Sequence, residues 1–129
     1  MLVMSIVLVL AGVAVILTGE LTARGILGIN DLMGLRFGYL QRSDEAWLVG
    51  HRAARLWVDA GGTLLVVVGL ACLAFPLEEG TVGITVGVAM AVLVALVGYG
   101  AFVGNRAARE VFLDSLDSVN PADSGSATG

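Results

Sequence analysis

The sequence predicts an all-α membrane protein with three transmembrane helices, a cytoplasmic helical segment between the first and second, and a helical hairpin formed by the second and third. Three observations predict it. Three long runs are almost free of charge. Only 14% of the 129 residues are charged against 57% hydrophobic, too few charges to clothe a soluble globule of this size. The 7 basic residues, all arginine, gather on one side of the apolar runs. Glycine is abundant at 18 residues and proline scarce at 2, a balance found in packed membrane helices rather than in disordered chains.

The first run, Leu2 to Gly19, carries no charge and, at about 1.5 Å of rise per residue, reaches roughly 27 Å, close to the hydrocarbon thickness. Nothing basic precedes Leu2 and the exit reads Leu17-Thr18-Gly19-Glu20, which fits an uncleaved helix better than a signal peptide. The second run, Leu56 to Phe75, holds one acid, Asp59, near its start and stops at Pro76. The third, Thr81 to Gly104, is uncharged, and Pro76 to Gly80 leave room only for a tight turn before it. The segment between the first two runs carries Arg24, Arg36, Arg42, Arg52 and Arg55, Arg106 and Arg109 follow the third, and the Glu78-Glu79 turn has no basic residue. The positive-inside rule then puts residues 20–55 and the C-terminus in the cytoplasm, and the N-terminus and turn outside the plasma membrane.

Gly83, Gly87, Ala91 and Ala95 recur at a spacing of four on the third helix, a pattern that lets another backbone approach. Asn105 to Leu116 extend that helix into the cytoplasm, with Val111, Phe112 and Leu116 as an apolar stripe. Residues 1–116 form the membrane domain, and residues 117–129 are expected to be a disordered polar tail.

The polar residues concentrate between Asn30 and Asp59. Ser43 followed by Asp44 and Glu45 marks a helix start, since serine accepts from an exposed backbone N–H and acids favour the positive end of the helix dipole. Continued without a break, the helix sets Trp47, His51, Ala54 and Val58 on one face and Leu48, Arg52, Arg55 and Asp59 on another. Trp47 and Trp57 are expected to anchor at the membrane–water boundary. Asp59, just inside an apolar run, is expected to pair with Arg55 one turn earlier.

Several function classes are excluded. A net charge of −4 offers no field for a nucleic-acid backbone. One histidine and one cysteine are too few for a metal centre, and Cys72 reads as a small apolar filler. His51 is expected to be hydrogen-bonded to a neighbour rather than to act as a proton switch. No nucleophile has a visible base partner and no phosphate loop occurs, so neither an enzyme nor a cofactor is expected.

Taken together, Asn30, Gly34-Leu35-Arg36, Ser43-Asp44-Glu45-Ala46-Trp47 and His51-Arg52, leading into a glycine-bearing span, resemble the C-terminal domain of the SdpI family over residues 26–105. These are bacterial membrane proteins named for immunity to a secreted peptide toxin. Family members usually follow the Gly-hydrophobic-Arg element with Thr and often Pro, and place a glycine after the Asn/His-Arg pair. Here Phe37-Gly38-Tyr39 and Ala53-Ala54-Arg55 stand at those positions. The resemblance implies a protein that binds or counters a membrane-active peptide toxin, or acts in envelope stress, with Arg36, Trp47, His51 and Arg52 as contacts. The alternative is a small subunit whose Gly83 face assembles with a second copy or a larger membrane complex. A transporter built on Asp59, His51 and the arginines ranks below both, because three spans without an internal repeat enclose no pathway alone.

Overall fold

The computed structural model describes residues 2–30, 34–36 and 38–119. Three α-helices run Leu2–Ala23 (α1), Asp44–Ala74 (α2) and Glu79–Val119 (α3), with one 3₁₀ turn at Gly38–Gln41 before α2. All three are long and apolar enough to cross a membrane. The outward faces are greasy, as a lipid environment requires: Leu10, Leu17, Leu56, Val67, Ile84, Val94 and Phe102 are exposed.

Local chemistry accounts for the ends. α1 continues past Gly19 and closes in a Schellman motif: the N–H of Gly25 donates to the carbonyl of Thr22 (3.1 Å) and that of Ile26 to Leu21 (3.0 Å). Gly25 takes the left-handed φ of 75° that this motif needs. The Thr22 hydroxyl, fully buried, donates to the carbonyls of Thr18 and Gly19 and so brings no unsatisfied group into the core. At the start of α2 the Ser43 hydroxyl accepts from the N–H of Ala46 (3.1 Å), with Asp44 and Glu45 in the first turn. α2 stops at Phe75, whose extended backbone (φ −116°, ψ 133°) is what the following Pro76 imposes.

α2 has 31 residues and α3 has 41, lengths of roughly 46 and 62 Å at about 1.5 Å per residue. Both exceed a bilayer core. Asp44, Glu45, Arg52 and Arg55 mark the part of α2 that precedes its apolar run at Leu56, and α3 overruns its apolar stretch beyond Gly104. The helix includes Asp117, Ser118 and Val119, so the tail is helical for its first three residues. Its remainder lies outside the described residues.

α2 is the central helix. It packs along α1 on one side and α3 on the other, while α1 and α3 make no close backbone approach among the described residues. Both contacts are antiparallel and close at glycine. A Cβ on Gly62 would stand 2.8 Å from the Gly12 carbonyl oxygen, and one on Gly69 would stand 2.9 Å from that of Ser5. Across the other interface a Cβ on Gly104 would stand 2.6 Å from the Gly50 carbonyl oxygen, and one on Gly100 would stand 2.9 Å from Trp57. Small residues thus bring helices together where apolar side chains gain nothing by leaving lipid. Leu8, Leu65 and Ala89 form the core at one level, and Leu40, Ala46 and Ala108 at another.

The small residues expected to mediate packing are not the ones that do so within this chain. Gly83 and Gly87 have nothing within 4 Å of a Cβ, and Ala91 and Ala95 are exposed. The buried face of α3 is instead Val82, Ala89, Gly100, Ala101, Gly104 and Ala108. In a helix this rich in glycine and alanine a spacing of four occurs on more than one face, and the partner decides which is covered.

Candidate functional site

Among the described residues of the linker between α1 and α2, three side chains hold the backbone in place: Trp47 and His51 of α2 and Asn105 of α3. Trp47, 1% exposed, donates Nε1–H to the Leu27 carbonyl at 2.9 Å. It is therefore a clasp inside the fold and not an anchor at the membrane surface. The other tryptophan, Trp57, is half-buried and meets Tyr99 edge to face, with ring centroids 4.6 Å apart. Neither placement is visible from residue type, because an indole N–H suits a buried carbonyl as well as a headgroup.

His51, 4% exposed, is stacked on Trp47 with centroids 4.2 Å apart. Its Nε2 accepts from the N–H of Leu35 at 2.9 Å, and its Nδ1 faces the Trp47 carbonyl at 2.8 Å. An acceptor at Nε2 requires the proton at Nδ1, so one neutral tautomer satisfies both bonds. Burial holds the imidazole below its ordinary value of 6.5. Gly34 completes the unit. Its φ is 95°, and a Cβ there would stand 2.8 Å from His51 Nε2 and 2.9 Å from the Trp47 ring. Only glycine fits.

The remaining motif positions lie around this unit. Asn30 donates Nδ2–H to the Gly28 carbonyl at 2.8 Å. Asp44 is the first residue of α2 and exposed, as is Arg36 in the linker. Arg52 donates Nε–H to the carbonyl of Ala23 at 3.0 Å, covering one of the bare carbonyls that end α1. Asn105, which from the sequence only opens the extension of the third helix, is the matching clamp on α3: its Oδ1 accepts from the N–H of Tyr39 at 2.7 Å. It is the first polar side chain after an uncharged run, the one sequence signal that could have flagged it. Tyr39 also meets Phe112 at 6.0 Å between centroids and lies under the guanidiniums of Arg42 and Arg109.

A charged cluster stands beside this linker. Arg55 Nε lies 2.6 Å from Glu20 Oε1 and 3.6 Å from Asp59 Oδ2, so Glu20, on a different helix, is the nearer partner. Arg24 Nη2 holds the other Glu20 oxygen at 2.9 Å. Asp59 Oδ1 is buried and makes no hydrogen bond among the described residues; it faces Gly19, where a Cβ would approach to 3.0 Å. Helical spacing alone finds the Arg55–Asp59 pair but cannot find a carboxylate 35 residues away. The signal for Glu20 is that it is the acid closing the first uncharged run.

Because α1 and α3 both pack along α2 without a close backbone approach to each other among the described residues, a groove of about 220 Å³ remains between them. Ala14, Val15, Thr18, Gly19 and Thr22 of α1 form one wall and Val97 of α3 lies opposite. Ala54, Arg55, Val58 and His51 of α2 form the floor, and Gly34 and Leu35 close one end. Among the described residues no three His, Cys, Asp or Glu side chains come together to hold a metal ion.

A family model described as the SdpI/YfhL protein family matches residues 26–100, from the linker clasped by Trp47 through the Gly100 contact. No curated protein and no solved structure matches the chain. The match covers more than half of the sequence and includes the Gly34, Trp47 and His51 unit, and the chain belongs to the SdpI/YfhL protein family.

Proposed function

We propose that this protein counters a membrane-active peptide toxin by binding it, as the resemblance to peptide-toxin immunity proteins implies, and that it catalyses no reaction. The observation that carries this reading is the convergence of the motif positions. Gly34 of the linker meets the buried Trp47 and His51, one turn apart on α2, in one unit that ties down the linker bearing the exposed Arg36. A charged linker tied down at the end of two spans is suited to recognition. In this reading Trp47 and His51 position the linker and Arg36 supplies the contact. Its guanidinium suits an anionic or carbonyl-rich partner.

The arginine distribution supports a multi-pass plasma-membrane arrangement with the linker and the C-terminus cytoplasmic and α2 and α3 forming a hairpin whose turn is outside. The test is survival of a sensitive cell challenged with peptide toxin. Arg36→Ala and Trp47→Ala should reach the membrane at normal levels and fail to protect, while Arg42→Ala should protect like the parent. Equal protection by all three would remove the linker from the site.

One observation favours a second reading, in which the chain is a subunit of a membrane assembly. Gly83 and Gly87 face away from the other helices and are uncovered. Gly87→Leu would then shift the oligomer distribution of the purified protein without altering protection.

A further inference from the structure

We propose that the arginine cluster at the C-terminal end of α1, with the groove beside it, is a binding site for an anionic phospholipid. The phosphodiester lies on Arg24, Arg52 and Arg55, and the first part of one acyl chain lies in the groove. The site goes beyond the toxin-binding reading and does not depend on it.

The three guanidiniums are anchored from behind. Arg55 is tied through Nε to Glu20 (2.6 Å) and Arg52 through Nε to the Ala23 carbonyl (3.0 Å). Arg24 is held by Nε and Nη2 on one Glu20 oxygen at 3.0 and 2.9 Å. The contacts of Arg52 and Arg55 therefore leave both terminal nitrogens as donors. Exposure separates the signs of charge: the Arg24 and Arg55 side chains are 64% and 48% exposed, Glu20 and Asp59 only 19% and 27%. The carboxylates face inward and preorganise the arginines, and an approaching group meets the guanidiniums. Three cations against two anions leave the cluster net positive.

Depth and shape narrow the ligand. The uncharged part of α1 ends at Gly19 and the apolar run of α2 begins at Leu56, so these arginines stand at headgroup level, where basic side chains favour anionic lipid. A guanidinium matches the paired oxygens of a phosphodiester. Arg55 belongs both to the cluster and to the groove, whose other walls are largely aliphatic: Ala14, Val15, Val58 and Val97. An apolar cavity of about 150 Å³ accommodates benzene. At about 220 Å³ the groove takes the upper methylenes of one chain and not a whole lipid. A basic peptide would meet the exposed guanidiniums first and be repelled.

The experiment uses the full chain purified in a non-ionic detergent and titrated separately with dioleoyl phosphatidylglycerol, dioleoyl phosphatidylcholine, inorganic phosphate and a basic amphipathic peptide. Thermal unfolding and native mass spectrometry read the result. Phosphatidylglycerol should remain bound and raise the unfolding midpoint by several degrees, with little effect from the others. Arg24→Gln and Arg52→Gln should each weaken it about tenfold, the worth of one charge-assisted hydrogen bond. Arg52→Lys, which keeps the charge, should recover most of the loss, and Arg106→Gln should not differ from the parent. Ala14→Phe, which fills the groove, should lower phosphatidylglycerol binding without lowering the midpoint of the lipid-free protein. Equal shifts from the two lipids, an equal shift from inorganic phosphate, a larger one from the basic peptide, or indifference to both Arg24→Gln and Ala14→Phe would each overturn the site.

Discussion

His51 and Gly34 show how much one residue decides in a chain with few polar groups. Gly34→Ala puts a Cβ into the His51 and Trp47 rings at a backbone φ of 95°. Left-handed strain alone costs a non-glycine residue about 1–3 kcal/mol, so thermal unfolding should register a loss at the upper end of that range, with the spans still inserted. His51 carries a pH consequence. Its folded value lies below the ordinary 6.5, so the neutral ring favours the native state. That contribution is complete above about pH 6.5 and falls away as pH drops toward the folded value. Unfolding midpoints measured from pH 7.5 downward should decline through that window in the parent. They should decline less in His51→Gln, whose amide can still accept from Leu35 and donate to Trp47 without titrating. Around Arg55, a double-mutant cycle of Glu20→Gln with Arg55→Gln should give a coupling of about 0.5–1 kcal/mol, modest because the arginine is half-exposed. The corresponding cycle with Asp59→Asn should give less, since that contact is 3.6 Å against 2.6 Å. Strict additivity in the first cycle would show that the interhelical pair contributes nothing.

Among the elements, α3 carries two glycine faces with opposite consequences. Gly104 has the Gly50 carbonyl 2.6 Å from where a Cβ would stand, while Gly87 has open space. Gly104→Ala should destabilise by about 1–3 kcal/mol, the usual cost of overpacking a close contact. Gly87→Ala should stabilise by up to about 0.5–1 kcal/mol through helix propensity. Thermal melts of the two variants in one detergent decide the matter, and a loss of similar size in both would mean that the Gly87 face is covered by something outside the chain. The same reasoning explains why α1 ends at Ala23 and not at Gly19. The Schellman bonds at Gly25 and the Arg52 contact on Ala23 satisfy its last carbonyls, so the helix outlasts its apolar run by a turn.

At the scale of the molecule, the orientation prediction rests on charge. Reporter fusions after Arg42 and Val119 should report the cytoplasm and a fusion after Gly80 the outside; an external Arg42 would invert the arrangement. The helical class, the three apolar helices, the helix start at Ser43, the stop at Pro76 and the family were legible in the sequence, because each rests on interactions within one short segment: apolar length, a cap, a proline, a motif at fixed spacing. The residues that bind the segments together were not. Trp47 reads as a membrane anchor and is a buried clasp; Gly83 and Gly87 read as a face that another backbone can approach, and no helix of this chain covers them among the described residues. Glu20 and Asn105 read only as the ends of uncharged runs and supply the contacts that join α1 to α2 and the linker to α3. Which segments are helices, and which of them lipid can surround, follows from the order of residues alone, since the bilayer judges each helix by its own length and polarity. Which face of each helix meets another is fixed by packing, because in lipid, apolar faces are equivalent until two backbones close at a glycine or a polar side chain finds its partner.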